Sequence, residues 1–245
     1  MIIGDTDREL LLALNSFVGR HALSDKILTG LANNELIRGF PIFFSLVALW
    51  FSVESIERRS RMLTGLLATC VATVLSVWLQ YHITPHIRPF LDPSFHLNII
   101  DPRVTNNFGR LGSFPSDTAT LYFSLATVVL LENRLAGSLC FFWALVTVGI
   151  GRVAFGWHYP SDIVGSLVLG PGCVYLFNNI PYLKTLFQRA LKLFEGRMYI
   201  VHALLFIFLA DAYNLFDSLQ SIAKTIVAFF EVKQLAVLSR CALKK

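Results

Sequence analysis

The feature that most constrains this chain is a series of apolar runs of membrane-spanning length, separated by short basic connections. The runs at about 36–52, 62–82, 117–131, 135–151, 161–177 and 198–215 carry few charges, and a helix needs roughly 20 apolar residues to cross the hydrocarbon core of a bilayer. In that core each backbone N–H and C=O has to be satisfied inside the protein, and runs of this length without strict alternation achieve it as helices. The expected fold class is therefore all-α: a polytopic membrane helix bundle with about six transmembrane helices. With 55% hydrophobic and 15% charged residues, a soluble globular domain is excluded. A net charge of +5 would point to nucleic acid in a soluble protein. Here most cations lie between apolar runs, where they set orientation and meet anionic headgroups, so the expected surroundings are membrane lipids and not nucleic acid. Cys70, Cys140, Cys173 and Cys241 are far apart without paired-ligand spacing, which argues against a disulfide framework and a metal site. The first residues lack the pattern of a removable signal peptide.

Residues 5–35 mix charges with Leu10, Leu11, Leu12, Leu14 and Phe17 and break at Gly19, Arg20 and His21, a pattern expected of two short amphipathic helices in the membrane interface. A tight basic loop is expected at 54–61, and the basic, apolar-spaced stretch 178–197 reads as a helix on the membrane surface. The chain divides at 178, with a membrane core and its interfacial segment in 1–178. Residues 179–245 hold the surface helix, an extra transmembrane helix and an amphipathic tail. In that last span His202 and Asp211 are expected to turn inward, with Asn214 nearby, since either would be costly facing lipid. Gly165, Gly170 and Gly172 in the fifth span allow close helix approach. The loops holding Arg58, Arg59 and Arg61, then Arg134, then Lys184 to Arg197 share one face by parity, and the positive-inside rule makes that face cytoplasmic. The long connection 81–114, the turn 114–116 and the stretch 151–162 then meet on the extracytoplasmic side.

Those three segments carry the chemistry. Arg152 can fork donors onto phosphate oxygens, His158 can attack phosphorus or move a proton, and Asp162 can fix the imidazole tautomer. If Pro160 opens a helix, Asp162 lies in its first turn, within reach of the ring two residues before the helix starts. Arg and His at an interface also snorkel to headgroups, and that alternative stays open on these residues alone. Ser116 opens the third span, where free N–H groups favour an anion, or it acts with Asp117 as an ordinary helix cap. Arg88 sits in a connection too long to be without function, together with His82, His86 and His96.

In this order and on one face, the segments resemble the signature of the type 2 phosphatidic acid phosphatase superfamily. That signature is a Lys, six residues and Arg-Pro; then Pro-Ser-Gly-His; then Ser-Arg, five residues, His, three residues and Asp. Arg88-Pro89, Pro115-Ser116 and the set Arg152, His158 and Asp162 match it. The Pro-Ser-Asp form of the middle motif and the interfacial N-terminal segment resemble bacterial undecaprenyl-diphosphate phosphatases, and the likeness covers about residues 5–178. The resemblance implies that His158 forms a phosphohistidine, that Asp162 orients it, and that Arg88, Arg152 and Ser116 hold the phosphoryl oxygens. It also implies that no cofactor is used, that the substrate is a polyprenyl or other lipid phosphate, and that the chain sits in a bacterial inner membrane.

Three positions depart from the signature. Gly151 replaces Ser, Tyr81 stands where the family has Lys, and Thr118 where it has the His that protonates the leaving oxygen. A Thr hydroxyl has no pKa near neutrality, and losing such an acid costs about 10²- to 10⁴-fold. Expelling a phosphate from a diphosphate needs the proton less than expelling an alkoxide, because phosphate holds its charge above a second pKa of about 6. Diphosphate chemistry is thereby favoured over monoester hydrolysis. Tyr81 is either a phosphate donor or an interface anchor, Trp157 and Tyr159 read as anchors, and Asp117, Thr118 and His86 are further site candidates. Three alternatives accompany the phosphatase: a transferase passing the group to a glycan or lipid acceptor, a silent lipid-phosphate binder, and a transporter. The last is disfavoured because the polar residues collect at one face.

Overall fold

The computed structural model describes residues 4–82, 87–99 and 112–213. Its helices are α1 (Asp5–Asn15), α2 (Ala22–Asn33), α3 (Glu35–Ser52), α4 (Ile56–His82), α5 (Asp117–Glu132), α6 (Arg134–Ala154), α7 (Pro160–Asn178), α8 (Pro181–Leu193) and α9 (Met198–Tyr213). No strand occurs among the described residues. Helices α3, α4, α6 and α7 are long and apolar enough to cross a membrane, α9 is a shorter apolar helix, and α5 has 16 residues. The chain is an integral membrane protein with the expected all-α bundle. Asn214 and the tail lie outside the described residues.

Helix α5 is the pillar. Every residue from Thr118 to Val129 is buried, and α3, α4, α6 and α7 all pack on it. Its polar side chains are accommodated because the Thr120, Ser124 and Thr127 hydroxyls donate to carbonyls one turn back, at 2.8, 2.7 and 2.7 Å. Thr64, Thr69 and Thr73 do the same on α4. Small residues set the closest approaches: a Cβ on Gly170 of α7 would lie 2.7 Å from both Thr120 O and Ser124 Oγ, and one on Gly137 of α6 would lie 2.2 Å from Leu130 Cα.

The stretch 54–61 is not the loop expected from its charges. Helix α4 begins at Ile56, because its arginines find partners on neighbouring helices. The buried Glu132 carboxylate accepts from Arg58 Nε at 2.9 Å and from Arg61 Nε at 2.7 Å. Arg59 lies over the Trp50 ring, 5.5 Å from its centre. His202 turns in against the Trp50 and Phe51 rings, and Asp211 is half-buried beside Cys70.

The N-terminal segment forms two short helices, turning at Gly19 with φ +82°. Leu11 and Val18 are buried while Leu10, Leu12, Phe17, Leu23 and Ile27 are exposed, the division expected of a segment lying in the interface. Asp7 Oδ1 accepts from Ser161 N at 2.9 Å, and Asn15 Nδ2 donates to Ala154 O at 2.8 Å. These bonds tie α1 to the junction of α6 and α7.

Gly170 and Gly172 give a matched test of this packing. Gly170→Ala pushes α7 off α5 and is expected to lower detergent-solubilised stability by about 1–3 kcal/mol. No heavy atom lies within 4 Å of a Cβ on Gly172, so Gly172→Ala leaves the thermal midpoint unchanged or slightly raised.

Candidate active site

Three segments meet at the end of the bundle opposite Glu132. The first is the end of α4 and the Arg88-Pro89 step. Arg88 precedes a single 3₁₀ turn, Pro89–Leu91, and Phe90 N donates to Gly156 O at 3.0 Å, which draws this connection onto the third segment. The second is residues 112–116, ending at Ser116, whose Oγ accepts from Ala119 N at 3.4 Å and caps α5. The third runs from the end of α6 to the start of α7. Within α6 the stretch Leu145–Ile150 is widened into a π-helical turn, which shifts the register of the last turn, carrying Arg152. Gly156 then turns the chain at φ +70°, where a side chain would be strained and a Cβ would lie 2.5 Å from Leu97. Pro160 opens α7, so His158 stands just ahead of that helix with Asp162 in its first turn.

His158 is fully buried. Its Nδ1 lies 2.8 Å from Ser113 O and 3.4 Å from Asp162 Oδ2. Both neighbours accept, so Nδ1 carries the proton and Nε2 presents its lone pair. Arg88 Nη1 is 3.3 Å from that Nε2. Asp162 Oδ2 also accepts from Tyr159 N at 2.7 Å, and Ser116 N lies 3.5 Å from Asp162 O. Ser166 Oγ sits 2.8 Å from both the Ser116 and Asp162 carbonyls, stitching the starts of α5 and α7 together. Burial, then the charges of Arg88 and Arg152, hold the His158 imidazole well below its ordinary pKa, so the ring is neutral at pH 7.

Arg88 is equally enclosed. Its Nη1 donates to Trp157 O at 3.3 Å and its Nη2 to Gln80 Oε1 at 3.4 Å, while Gln80 Nε2 donates to Pro115 O at 2.7 Å. Burial lowers the Arg88 pKa against the pull of Asp117 and Asp162. Arg152 is 6% exposed and lies over the Trp157 ring, 5.3 Å from its centre. Asp117 Oδ1 accepts from Thr118 N at 2.8 Å, and its charge reaches Arg152, Arg88 and His158. Two guanidiniums, a neutral imidazole and a helix N-terminus around one point make a set that takes an anion.

Arg88, Ser116, Arg152, His158, Asp162 and Asp117 are thus gathered at one end. Thr118 is buried in the first turn of α5 with its hydroxyl 3.5 Å from Asp117 Oδ1. Tyr81 is not brought in: it is 44% exposed, and the residue before it, Gln80, reaches Arg88 instead. His86 lies outside the described residues, His82 stacks on Trp78, and His96 is exposed. Trp157 and Tyr159 are buried and not interface anchors; the turn at Gly156 folds them inward, Trp157 beneath Arg152 and Tyr159 against Phe95. Gly151 has a packing reason, since a Cβ there would lie 3.0 Å from Ala32 Cβ. Sequence reasoning missed Ser113, which acts through its carbonyl and gives no side-chain signal, and the site role of Gln80, although Gln80 stands out as the polar residue of its span. It also missed Arg38, a cation inside an apolar run, which was itself a signal.

The sequence pattern of the PAP2 superfamily matches residues 42–186, more than half of the chain. YbjG of Escherichia coli (strain K12) is 32% identical over 142 residues, covering 57% of this chain and 66% of that protein, just under two thirds of its length. The undecaprenyl-diphosphatase BcrC of Bacillus subtilis (strain 168) is 26% identical over 169 residues, covering 69% of this chain and 81% of that one. The crystal structure of Aquifex aeolicus LpxE is similar in fold, with a TM-score of 0.53 and 24% identity over 72% of this chain and 98% of that one. The matched span takes in Arg88, Ser116, Arg152, His158 and Asp162 together, and the chain belongs to the PAP2 superfamily.

Proposed function

We propose that the chain is a lipid-phosphate phosphatase that hydrolyses a polyprenyl diphosphate through a phosphohistidine on His158, at the extracytoplasmic face of a bacterial inner membrane. The observation that carries this reading is the hold on His158: Nδ1–H faces Ser113 O and Asp162, leaving the Nε2 lone pair 3.3 Å from the Arg88 guanidinium. A terminal phosphate entering beside Arg88 brings its phosphorus to that lone pair, with oxygens on Arg88, Arg152 and the N-terminus of α5. Nε2 bonds to phosphorus, and the bridging P–O bond breaks. The lipid monophosphate leaves with the electron pair, and the phosphorylated imidazolium keeps Nδ1–H on its two acceptors. Water then adds its oxygen to phosphorus and the P–N bond breaks. Inorganic phosphate departs with one proton of that water, the other passes to solvent, and His158 is neutral again.

Thr118 supports a diphosphate substrate. Without an acid at that position the leaving group has to carry its own charge, as a phosphate does and an alkoxide does not. The name of the relative BcrC points to the same substrate class. The cations Arg58, Arg61 and Arg134, with Lys184, Arg189 and Lys192 on α8, lie at or beyond the end away from His158, and the positive-inside rule supports an extracytoplasmic site. If a glycan or lipid hydroxyl takes the place of water, the same intermediate yields transfer; substrate loss without free phosphate in the presence of an acceptor identifies that outcome.

Purified full-length protein supplied with undecaprenyl diphosphate is expected to lose phosphate release by ~10⁴-fold or more in His158→Gln, and rapid quenching of the wild type traps an acid-labile phosphohistidine. Release that is absent from the wild type, or unchanged in His158→Gln, would instead identify a silent binder or a different nucleophile.

The pH profile gives an independent check. The reactive imidazole is the neutral form and its pKa lies below the ordinary 6.5, so kcat/KM persists as pH falls toward that value and drops only at lower pH. In Arg88→Gln a charge that depresses the pKa is gone, and the acid limb of the residual activity moves to higher pH.

A further inference from the structure

A third guanidinium is buried at the same end of the bundle, outside the residues used above. Arg38, in the first turn of α3, is 4% exposed. Its Nη1 donates to Ala32 O at 2.9 Å, and its guanidinium carbon lies 5.9 Å from the centre of the Tyr122 ring. Ala32, to which Arg38 is bonded, lies against the residue before Arg152: a Cβ on Gly151 would lie 3.0 Å from Ala32 Cβ. Tyr122 follows Thr118 by one turn on the same face of α5. Arg38, Tyr122 and Arg152 therefore form a cluster about one turn further into the bundle than Thr118.

The cluster is short of acceptors. Arg38 Nε and Arg152 Nε are buried without a well-aligned hydrogen bond, and the buried Tyr122 hydroxyl, which faces Arg38, has no acceptor for its own proton among the described residues. The one ion pair Arg38 makes among the described residues, to Glu35, is long at 3.9 Å, and that carboxylate is 44% exposed. Two like charges held together away from water, with unfilled donors, are costly unless an anion joins them. The Ala32 contact accounts for one nitrogen of Arg38 and leaves the proximity to Arg152 unexplained.

We propose that Arg38, Tyr122 and Arg152 form a second anion subsite, which holds the lipid-attached phosphate of a diphosphate while Arg88 and Arg152 hold the terminal phosphate against His158. The proposal rests on the phosphatase reading above and deepens it to a substrate preference. Arg152 is shared between the two phosphates. As the bridging bond breaks, negative charge grows on the lipid-attached phosphate, and Arg38 and the Tyr122 hydroxyl stabilise it where Thr118 has no proton to give. A lipid monophosphate leaves this subsite empty and gains nothing from it.

The test compares kcat/KM for undecaprenyl diphosphate and undecaprenyl monophosphate in full-length wild type, Arg38→Gln and Tyr122→Phe. Arg38→Gln is expected to lower the diphosphate value by ~10²-fold with less than about a threefold change on the monophosphate, and Tyr122→Phe acts in the same direction with smaller size. Tyr122→Phe leaves the Arg38 bond to Ala32 intact, so it decides the matter if Arg38→Gln fails to fold. Equal losses on both lipids, or no loss on the diphosphate, overturn the subsite. Calorimetric titration with inorganic pyrophosphate and orthophosphate separates this from failure of the phosphatase reading. Wild type that binds pyrophosphate more tightly than orthophosphate, with the difference lost in Arg38→Gln, supports the subsite even without turnover; no such difference overturns it.

Discussion

The hydrogen bond from His158 Nδ1 to the carbonyl of Ser113, at 2.8 Å, governs the rest of the site. It decides which imidazole nitrogen turns its lone pair to Arg88, and it does so with a backbone group that does not titrate. Asp162 stands slightly further off at 3.4 Å and divides its oxygen between the ring and Tyr159 N. The carboxylate therefore works as much on the backbone of the turn as on the imidazole. Ser113 and Ser116 belong to one segment and Asp162 to another far along the chain, and the buried Ser166 hydroxyl joins the two. Moving any of these backbones would turn the ring.

That arrangement needs a support that does not yield, and α5 supplies it. A helix buried along nearly its whole length cannot tilt without disturbing four neighbours, and its Thr120, Ser124 and Thr127 hydroxyls are bonded to carbonyls one turn back. The far end is fixed by the Glu132 pairs with Arg58 and Arg61. The near end presents Ser116, Asp117, Thr118 and, one turn on, Tyr122. One face of α5 thus runs from a helix N-terminus suited to an anion into a cluster of buried donors.

Much of this was legible in the sequence. The membrane bundle follows from run length, and Pro160 placed His158 and Asp162 on either side of a helix start. The two interfacial helices follow from the mixed charges and the break at Gly19. The losses have physical causes. Charge density at 54–61 suggested a loop, but arginines with a buried carboxylate and an indole across the bundle extend the helix instead. Trp157 and Tyr159 look like interface anchors by type, and the reversal at Gly156 makes them core. The signature register selects Tyr81, whereas helical rotation of α4 turns its neighbour Gln80 inward. Ser113 acts through an atom that every residue has, so no pattern of side chains could mark it.

The contact between Asp7 and Ser161 N, at 2.9 Å, joins the interfacial segment to the site. Ser161 adjoins Asp162 in the opening turn of α7, while Asp7 belongs to a helix whose outer side chains suit the boundary between headgroups and acyl chains. One carboxylate therefore joins α1 to the turn that aims the imidazole. The interfacial helix and the imidazole are thus parts of one hydrogen-bonded assembly, and the boundary layer of the bilayer borders it directly.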